Sequence, residues 1–152
     1  MSKKHFLRGL RDGIPIGLGY FAVSFGIGIS AHNAHLSIFQ GFLLSFLNNA
    51  SSGEYGGITI IAADSGLWAM ALMMLVVNAR YLLMSCALSQ RLSPDTPLPW
   101  RLLIAYDLTD EIFGLAIAQL GYLEVWYYFG AMCAAMPGWS IGTVLGVLMG
   151  NL

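Results

Sequence analysis

The chain has 152 residues, of which 57% are hydrophobic and 10% are charged, whereas about a quarter of the residues of a soluble domain carry a charge. So little polar surface excludes an ordinary soluble globule and predicts an all-α, polytopic membrane protein with a single transmembrane domain over residues 1–152. The net charge of −1 offers no basic surface for nucleic acid, so composition predicts the lipid bilayer as the partner.

The first predicted span is the uncharged run from Ile14 to Ala31. Four cations precede it: Lys3, Lys4, Arg8 and Arg11. By the positive-inside rule they place the N-terminus in the cytoplasm; a cleaved signal peptide is the alternative interpretation of such a start. Pro15 suits the first turn of this helix, and the small residues Ala22, Gly26 and Ser30, at four-residue intervals, predict its packing face.

The second predicted segment, Leu36–Ala63, is interrupted by the stretch NNASSGEYGG, which is rich in poor helix formers. We predict two half-helices that meet at a break near residues 51–57 and re-enter one membrane surface. One long tilted helix with a glycine kink is the alternative. Re-entry puts the loop of residues 91–101, with its two arginines, in the cytoplasm and leaves Asp64 and Glu124 outside, whereas a full crossing puts that loop outside.

Three further segments bring the predicted number of spans to about five. Gly66–Gln90 is predicted to be unbroken, Trp100–Gly121 follows a proline-rich loop, and the last segment is expected to kink or break at Pro137-Gly138. That segment continues with a glycine row: Gly142, Gly146 and Gly150. Their four-residue spacing predicts close packing against another helix.

Charged residues fall at matching depths in these predicted spans. Arg80 lies ten residues before the end of its span and Asp110 ten residues after the start of the next, so each is about 15 Å from the surface that the two spans share. That is the middle of a hydrocarbon core about 30 Å thick. Glu54, ten residues before Asp64, reaches the same depth from the other side. We therefore predict that Arg80 pairs with Asp110 or Glu111.

Three acids crowd together at this depth. Asp107, Asp110 and Glu111 follow i, i+3 and i, i+4 spacing, which puts them on one face of a continuous helix. With Glu54 and Arg80, they would cost on the order of 12 to 17 kcal/mol if left facing lipid, so we expect them to face one another or a cavity. Burial and mutual repulsion favour protonated carboxyl groups. Four acids beside one base therefore predict proton-coupling residues that trade a proton for an ammonium group: Glu54, Asp107, Asp110 and Glu111.

Four stretches of the sequence, in order from Gly9 to Glu111, resemble signature segments of a known family. They are GLRDGIPIGLGYFAVSFGIGISA, ASSGEYGGI, NARYLLMSCAL and LTDE. In these stretches the chain is similar to the AzlC-type branched-chain amino acid permeases, which are bacterial exporters that work with a small AzlD-type membrane subunit. The resemblance implies a multi-pass protein of the bacterial inner membrane that exports branched-chain or other small neutral amino acids.

Polar residues in the matching segments, at the predicted midplane, are the candidate solute contacts. They are Glu54, Tyr55, Asn78, Arg80, Asp110 and Glu111. The family commonly has Gln where Glu54 stands and His where Tyr81 stands, so this chain carries a further titratable group at the first of these positions. Family members are usually longer by several helices, so the resemblance implies either a shortened member or one that depends on a partner to close its site.

No motif predicts an enzyme, a cofactor or a metal site. Tyr106-Asp107 matches half of the intramembrane aspartyl protease pattern, but the sequence lacks GxGD, HExxH and GxSxG. Cys86 and Cys133 stand alone in predicted spans and the histidines fall outside the apolar runs, so neither a disulfide nor metal ligands are predicted. A passive channel or a non-transporting subunit of a membrane assembly is the alternative to a transporter.

Overall fold

The computed structural model describes residues 2–150. Within them the protein has eight α-helices and no β-strand, so the predicted all-α class is confirmed. The helices are α1 (Ser2–Asn33), α2 (Ile38–Leu47), α3 (Ser51–Ala62), α4 (Gly66–Asn78), α5 (Arg80–Ser89), α6 (Leu98–Tyr106), α7 (Asp110–Ile117) and α8 (Val125–Met149).

Two helices of the described chain, α1 and α8, are long and apolar enough to cross a membrane. α4 and α5 are bent by 43° where they meet and form a third candidate if they are counted as one span. The predicted count of about five is therefore not confirmed, and the segment Gly66–Gln90 is bent rather than unbroken. The helices α2, α3, α6 and α7 have 10, 12, 9 and 8 residues, which is enough for about half of a 30 Å core.

The chain divides into two compact units, which we call unit 1 (Met1–Gly17 and Arg80–Ala135) and unit 2 (Leu18–Ala79 and Met136–Leu152). In unit 1 the first half of α1 packs closely on the start of α8. An added Cβ on Gly9 would overlap the backbone of Tyr127, and one on Gly17 would overlap the backbone of Ala134. Higher residue numbers in α1 meet higher numbers in α8, so the two helices run parallel in this unit.

In unit 2 the glycine row of α8 lies against the second half of α1, again in parallel. A Cβ on Gly142 would lie 2.6 Å from the Phe21 carbonyl oxygen, and one on Gly146 would lie 2.8 Å from Gly28 Cα. Gly150 lies beside the ring of His32. All three glycines of the row therefore lie at close contacts with α1.

The predicted packing face of α1 is wrong by two residues. Ala22 and Gly26 are exposed, and a Cβ on Gly26 would meet nothing within 4 Å. Ser24 and Gly28 are buried against α8 instead. Residues two apart point to nearly opposite sides of an α-helix, and both sides of this helix carry small residues, so composition alone did not distinguish them.

Two prolines that were expected at a helix start and at a helix break lie inside helices. α1 begins at Ser2, so Pro15 is in its interior, and α8 continues through Pro137 without the predicted break. A proline removes one backbone hydrogen bond, and the close packing of α1 on α8 stabilises the helical path around that loss.

The break predicted near residues 51–57 is wrong in position. The interruption between α2 and α3 covers residues 48–50. The N–H of Glu54 donates to the Ala50 carbonyl oxygen at 2.8 Å, so the helix is already established where the break was expected.

The glycines that suggested the break provide space for neighbouring side chains instead. A Cβ on Gly53 would lie 3.0 Å from the Asn48 side-chain oxygen, and one on Gly56 would lie 2.8 Å from the Met73 sulfur. The close approach of α4 to α3 thus offsets the poor helix propensity of glycine.

A second break, which the sequence did not predict, divides Trp100–Gly121. Residues 107–109 between α6 and α7 are not helical. Thr109 caps α7, because its hydroxyl oxygen accepts the N–H of the residue three positions later at 3.4 Å. The prediction of one acidic face on a continuous helix is therefore wrong, since Asp107 lies in the break and Asp110 follows it.

Candidate functional site

Glu54 lies in the first turn of α3 and has a fully buried side chain, with 0% of its surface exposed. Two neutral groups of α8 hold its carboxyl group. The Trp139 indole N–H donates to Oε2 at 2.7 Å and the Thr143 hydroxyl donates to Oε1 at 3.2 Å. These two partners are four residues apart, so they share one face of α8.

The surroundings of Glu54 are apolar and packed. The Trp139 ring meets the ring of Tyr20 edge-on at 5.3 Å, and it belongs to a buried cluster with Ile27, Ile58 and Val147. A charged Glu54 is therefore balanced by hydrogen-bond dipoles, without a cation among its partners. Such a carboxyl group can gain or lose a proton without breaking an ion pair.

Arg80 and Asp110 form the ion pair that the sequence predicted. Arg80 Nη1 lies 2.7 Å from Asp110 Oδ2, and both side chains are 46% exposed. Arg80 is the first residue of α5 and Asp110 the first of α7. The guanidinium also lies over the ring of Tyr81, 5.1 Å from its centroid, and donates to its hydroxyl at 3.3 Å. The pair thus joins two helix starts in unit 1.

Asp107 lies in the break between α6 and α7 and is 1% exposed. Its Oδ2 is buried and makes no hydrogen bond. The backbone around it is held by Tyr128 of α8, whose hydroxyl lies 2.8 Å from the Asp107 carbonyl oxygen and 3.1 Å from that of Ile104. These carbonyls belong to the end of α6, where the helix itself supplies no donor.

The remaining candidate solute contacts are Tyr55, Glu111 and Asn78. Tyr55 is 55% exposed on α3, and Glu111 is exposed next to Asp110. Asn78 ends α4 in unit 2; its amide lies 3.8 Å from the Met74 sulfur, and its Oδ1 is buried without a hydrogen bond. Within residues 2–150, no three His, Cys, Asp or Glu side chains are placed to hold a metal ion.

Sequence reasoning missed three residues that position the acids: Trp139, Thr143 and Tyr128. Trp and Tyr are common in membrane helices as interfacial anchors, so their presence did not point to buried carboxyl groups. The i, i+4 spacing of Trp139 and Thr143 was a usable signal, because it aligns two donors on the helix that also carries the glycine row.

Comparison with known proteins identifies the relatives of the chain. The family model described as AzlC protein matches residues 15–152. The chain is 28% identical over 151 residues to inner membrane protein YgaZ of Escherichia coli K12, covering 96% of this chain and 61% of that protein. It is 26% identical over 154 residues to an uncharacterized membrane protein of Helicobacter pylori J99 and to one of strain 26695, covering 96% of this chain and 66% of each. The chain thus spans less than two thirds of these relatives, and no solved structure matches it.

Proposed function

The chain belongs to the AzlC protein family, and from this membership and the Glu54 site we propose that it is a transporter that exports small neutral amino acids in exchange for protons. Branched-chain amino acids are the proposed solutes, because the four signature segments resemble branched-chain amino acid permeases. The observation that carries the proposal is Glu54, a fully buried carboxyl group held only by neutral donors. Intramembrane ionisable groups of this kind are costly and mark proton or solute pathways.

The Arg80–Asp110 pair supplies the chemistry for a zwitterion. The solute carboxylate can replace Asp110 as the partner of the Arg80 guanidinium. The solute ammonium can then pair with the Asp110 carboxylate, so both side chains and both ends of the solute stay paired. Glu111, Tyr55 and Asn78 remain predicted contacts of the solute.

Proton exchange follows from competition between like charges. An ammonium group beside a carboxylate disfavours its protonation, so the arriving solute expels the proton. By linkage, protonation must weaken solute binding by the factor by which solute weakens proton binding. The proposal assigns the proton to Glu54, Asp107 or the Asp110/Glu111 pair.

The proposal also covers the subcellular location of the protein and its partner subunit. The four cations before the first apolar run support an N-terminus in the cytoplasm, and the similarity to inner membrane protein YgaZ supports a location in the bacterial inner membrane. A small AzlD-type membrane subunit is the proposed partner, by resemblance to the family.

The test is exchange in proteoliposomes, with and without the small subunit. Labelled leucine uptake is measured against unlabelled leucine on the other side, together with proton release reported by a pH-sensitive dye. A transporter accelerates labelled uptake when unlabelled leucine is present on the trans side. With leucine added on one side only, it releases protons on that side as leucine enters. A passive channel shows uptake that trans solute does not accelerate, and a non-transporting subunit shows none; either result overturns the proposal.

Glu54→Gln separates the candidate proton carriers, with Glu124→Gln as the matched control because Glu124 is exposed and paired with His5. We expect Glu54→Gln to exchange solute with solute but to lose proton release, while Glu124→Gln behaves as the parent. If Glu54→Gln stays fully coupled, the proton belongs to Asp107 or to the Asp110/Glu111 pair.

A further inference from the structure

The two broken helix pairs, α2–α3 and α6–α7, determine the membrane topology of the chain. We propose that both are re-entrant hairpins, each entering and leaving at one surface: α6–α7 where α1 begins and α2–α3 where α1 ends. The two fully buried carboxyl groups of the described chain, Asp107 and Glu54, then lie at or just beyond the tips of the two hairpins.

Arg91, which follows α5, connects the end of α7 to the segment before α8. Its guanidinium donates to the carbonyl oxygen of Ile117 at 3.4 Å and also to that of Gln119. Its own carbonyl accepts the N–H of Leu123 at 2.6 Å. The last residue of α7 therefore lies beside the end of α5.

The start of α6 is at the same place. The ring of Trp100 lies 5.9 Å from that of Trp126 and 5.2 Å from that of Phe129, both in the first turns of α8. Arg101 donates to the carbonyl oxygen of Ser93 at 2.9 Å, which holds the loop after α5 against the first turn of α6. α6 thus starts where α7 ends, as a hairpin requires.

This hairpin base lies beside the start of α1. His5 Nδ1 is 3.6 Å from Glu124 Oε2, and the Tyr127 hydroxyl donates to Asp12 Oδ2 at 3.0 Å. Glu124 is therefore on the side of the N-terminus. The expectation that it shares the outer surface with Asp64 does not fit this placement.

The tip of α6–α7 lies away from that base. α7 starts at Asp110, which pairs with Arg80 at the start of α5, and its last residue, Ile117, lies beside Arg91, just beyond the end of α5. The two helices therefore run parallel, and the 10 residues of α5 put the tip about 15 Å from the base. That is half of the hydrocarbon core.

The α2–α3 pair returns in the same manner at the end of α1. Gly41, near the start of α2, faces the Val147 side chain, and His32, near the end of α1, contacts the Val147 carbonyl at 3.0 Å. After the break, Glu54 meets α8 at Trp139 and Thr143, one to two turns earlier in that helix. One turn further on, Ile58 packs in the buried cluster that contains Ala31, near the end of α1, as well as Trp139 and Val147.

The parallel packing of α1 and α8 requires the two broken pairs to behave alike, so that both cross the membrane or both re-enter, and the hairpin base of α6–α7 beside the start of α1 favours re-entry. Because both helices run in the same direction, the chain between them must cross the membrane an odd number of times. Counted as one span, the α4–α5 pair supplies one crossing. If only one of the two broken pairs also crossed, the number would be even and α8 would run against α1.

The distribution of Lys and Arg residues agrees with this membrane topology. Six of the seven Lys and Arg residues then belong to the surface where α1 begins: Lys3, Lys4, Arg8, Arg11, Arg91 and Arg101. The seventh, Arg80, is in the ion pair. By the positive-inside rule that surface is cytoplasmic.

Single-cysteine labelling tests the proposal on the full chain in vesicles. In a background with Cys86→Ala and Cys133→Ala, five exposed positions are labelled with a membrane-impermeant maleimide in right-side-out and inside-out vesicles: Lys4→Cys, Asn33→Cys, Ser65→Cys, Asp95→Cys and Leu120→Cys. We expect positions 4, 95 and 120 to react from one side and positions 33 and 65 from the other.

Two results overturn the proposal. If positions 95 and 120 react from opposite sides, α6–α7 crosses the membrane; if positions 33 and 65 do, α2–α3 crosses. If the cysteine-free background does not fold, the same substitutions are made in the parent chain. The labelling of each new cysteine is then measured as the increase over the labelling of Cys86 and Cys133. The result does not depend on transport, so it stands or falls separately from the proposed function.

Discussion

Removing the Trp139 N–H should destabilise the protein much more when Glu54 is present than when it is absent. Trp139→Phe leaves a fully buried carboxyl oxygen without its 2.7 Å donor, which costs about 1 to 3 kcal/mol. Glu54→Leu leaves the indole N–H without an acceptor, at a similar cost of about 1 to 3 kcal/mol. With both changes neither member of the Trp139–Glu54 hydrogen bond remains, and the loss of the Thr143 acceptor is common to both Glu54→Leu proteins and cancels. The double variant should therefore lose less than the sum of the two.

The size of that difference reports the charge of Glu54. A hydrogen bond to an ionised carboxylate contributes about 1.5 to 3 kcal/mol and one to a neutral carboxyl about 0.5 to 1.5 kcal/mol. The volume lost in Trp139→Phe is the same in both backgrounds and cancels in the cycle. The two ranges therefore distinguish a charged from a protonated resting state.

The measurement is equilibrium unfolding of the four proteins in one detergent, at two pH values. The control cycle replaces Trp139→Phe with Trp126→Phe, whose ring packs on Trp100 and Phe129 and does not contact Glu54. That cycle should be additive within about 0.5 kcal/mol. A Trp139–Glu54 coupling below the same limit would show that the hydrogen bond does not exist in the folded protein.

Three further changes should have distinct results. Arg80→Gln should weaken leucine binding about 10- to 100-fold, since losing an ionic hydrogen bond costs roughly 1.5 to 3 kcal/mol; Arg80→Lys should bind better than Arg80→Gln, and equal binding by all three proteins would exclude Arg80 from the site. Tyr128→Phe should lower the free energy of unfolding by about 0.5 to 1.5 kcal/mol, and no change would mean that its hydroxyl is not needed to hold the end of α6. Gly146→Ala should destabilise by about 1 to 3 kcal/mol through overpacking, whereas Gly26→Ala, on the open face, should stabilise by up to about 1 kcal/mol; equal effects would contradict the α1–α8 contact.

Local sequence signals predicted the class of the protein and one contact of the candidate site. Hydrophobic runs identified α1 and α8, the two helices of the described chain that are long and apolar enough to cross a membrane, and counting residues from the shared loop paired Arg80 with Asp110. That counting succeeded although Trp100–Gly121 is broken, because α5 and α7 run side by side. The contact depended on the depth of the two residues and not on a continuous helix.

The positions of the breaks could not be predicted from helix propensity. Glycines near Glu54 suggested a break that lies at residues 48–50 instead, because tertiary contact with α4 outweighs their propensity. The break at residues 107–109 was hidden in an apolar run. Its local signal is Thr109 followed by two acids, the composition of a helix start, but the spacing of the acids fits one stripe on a longer helix equally well.

The three acids of DLTDE therefore occupy different electrostatic positions. Asp110 and Glu111 lie in the first turn of α7, where the helix dipole favours negative charge, and Asp110 also has Arg80. Asp107 follows the last turn of α6, where the dipole disfavours negative charge, and its Oδ2 is buried without a donor. Stabilisation of the fold therefore accounts for the presence of Asp110 and Glu111 but not for that of Asp107. Transporters bind coupling cations at the ends of half-helices, where backbone carbonyls and acids lie together. We therefore propose Asp107, with Glu54, as a carrier of the exchanged proton.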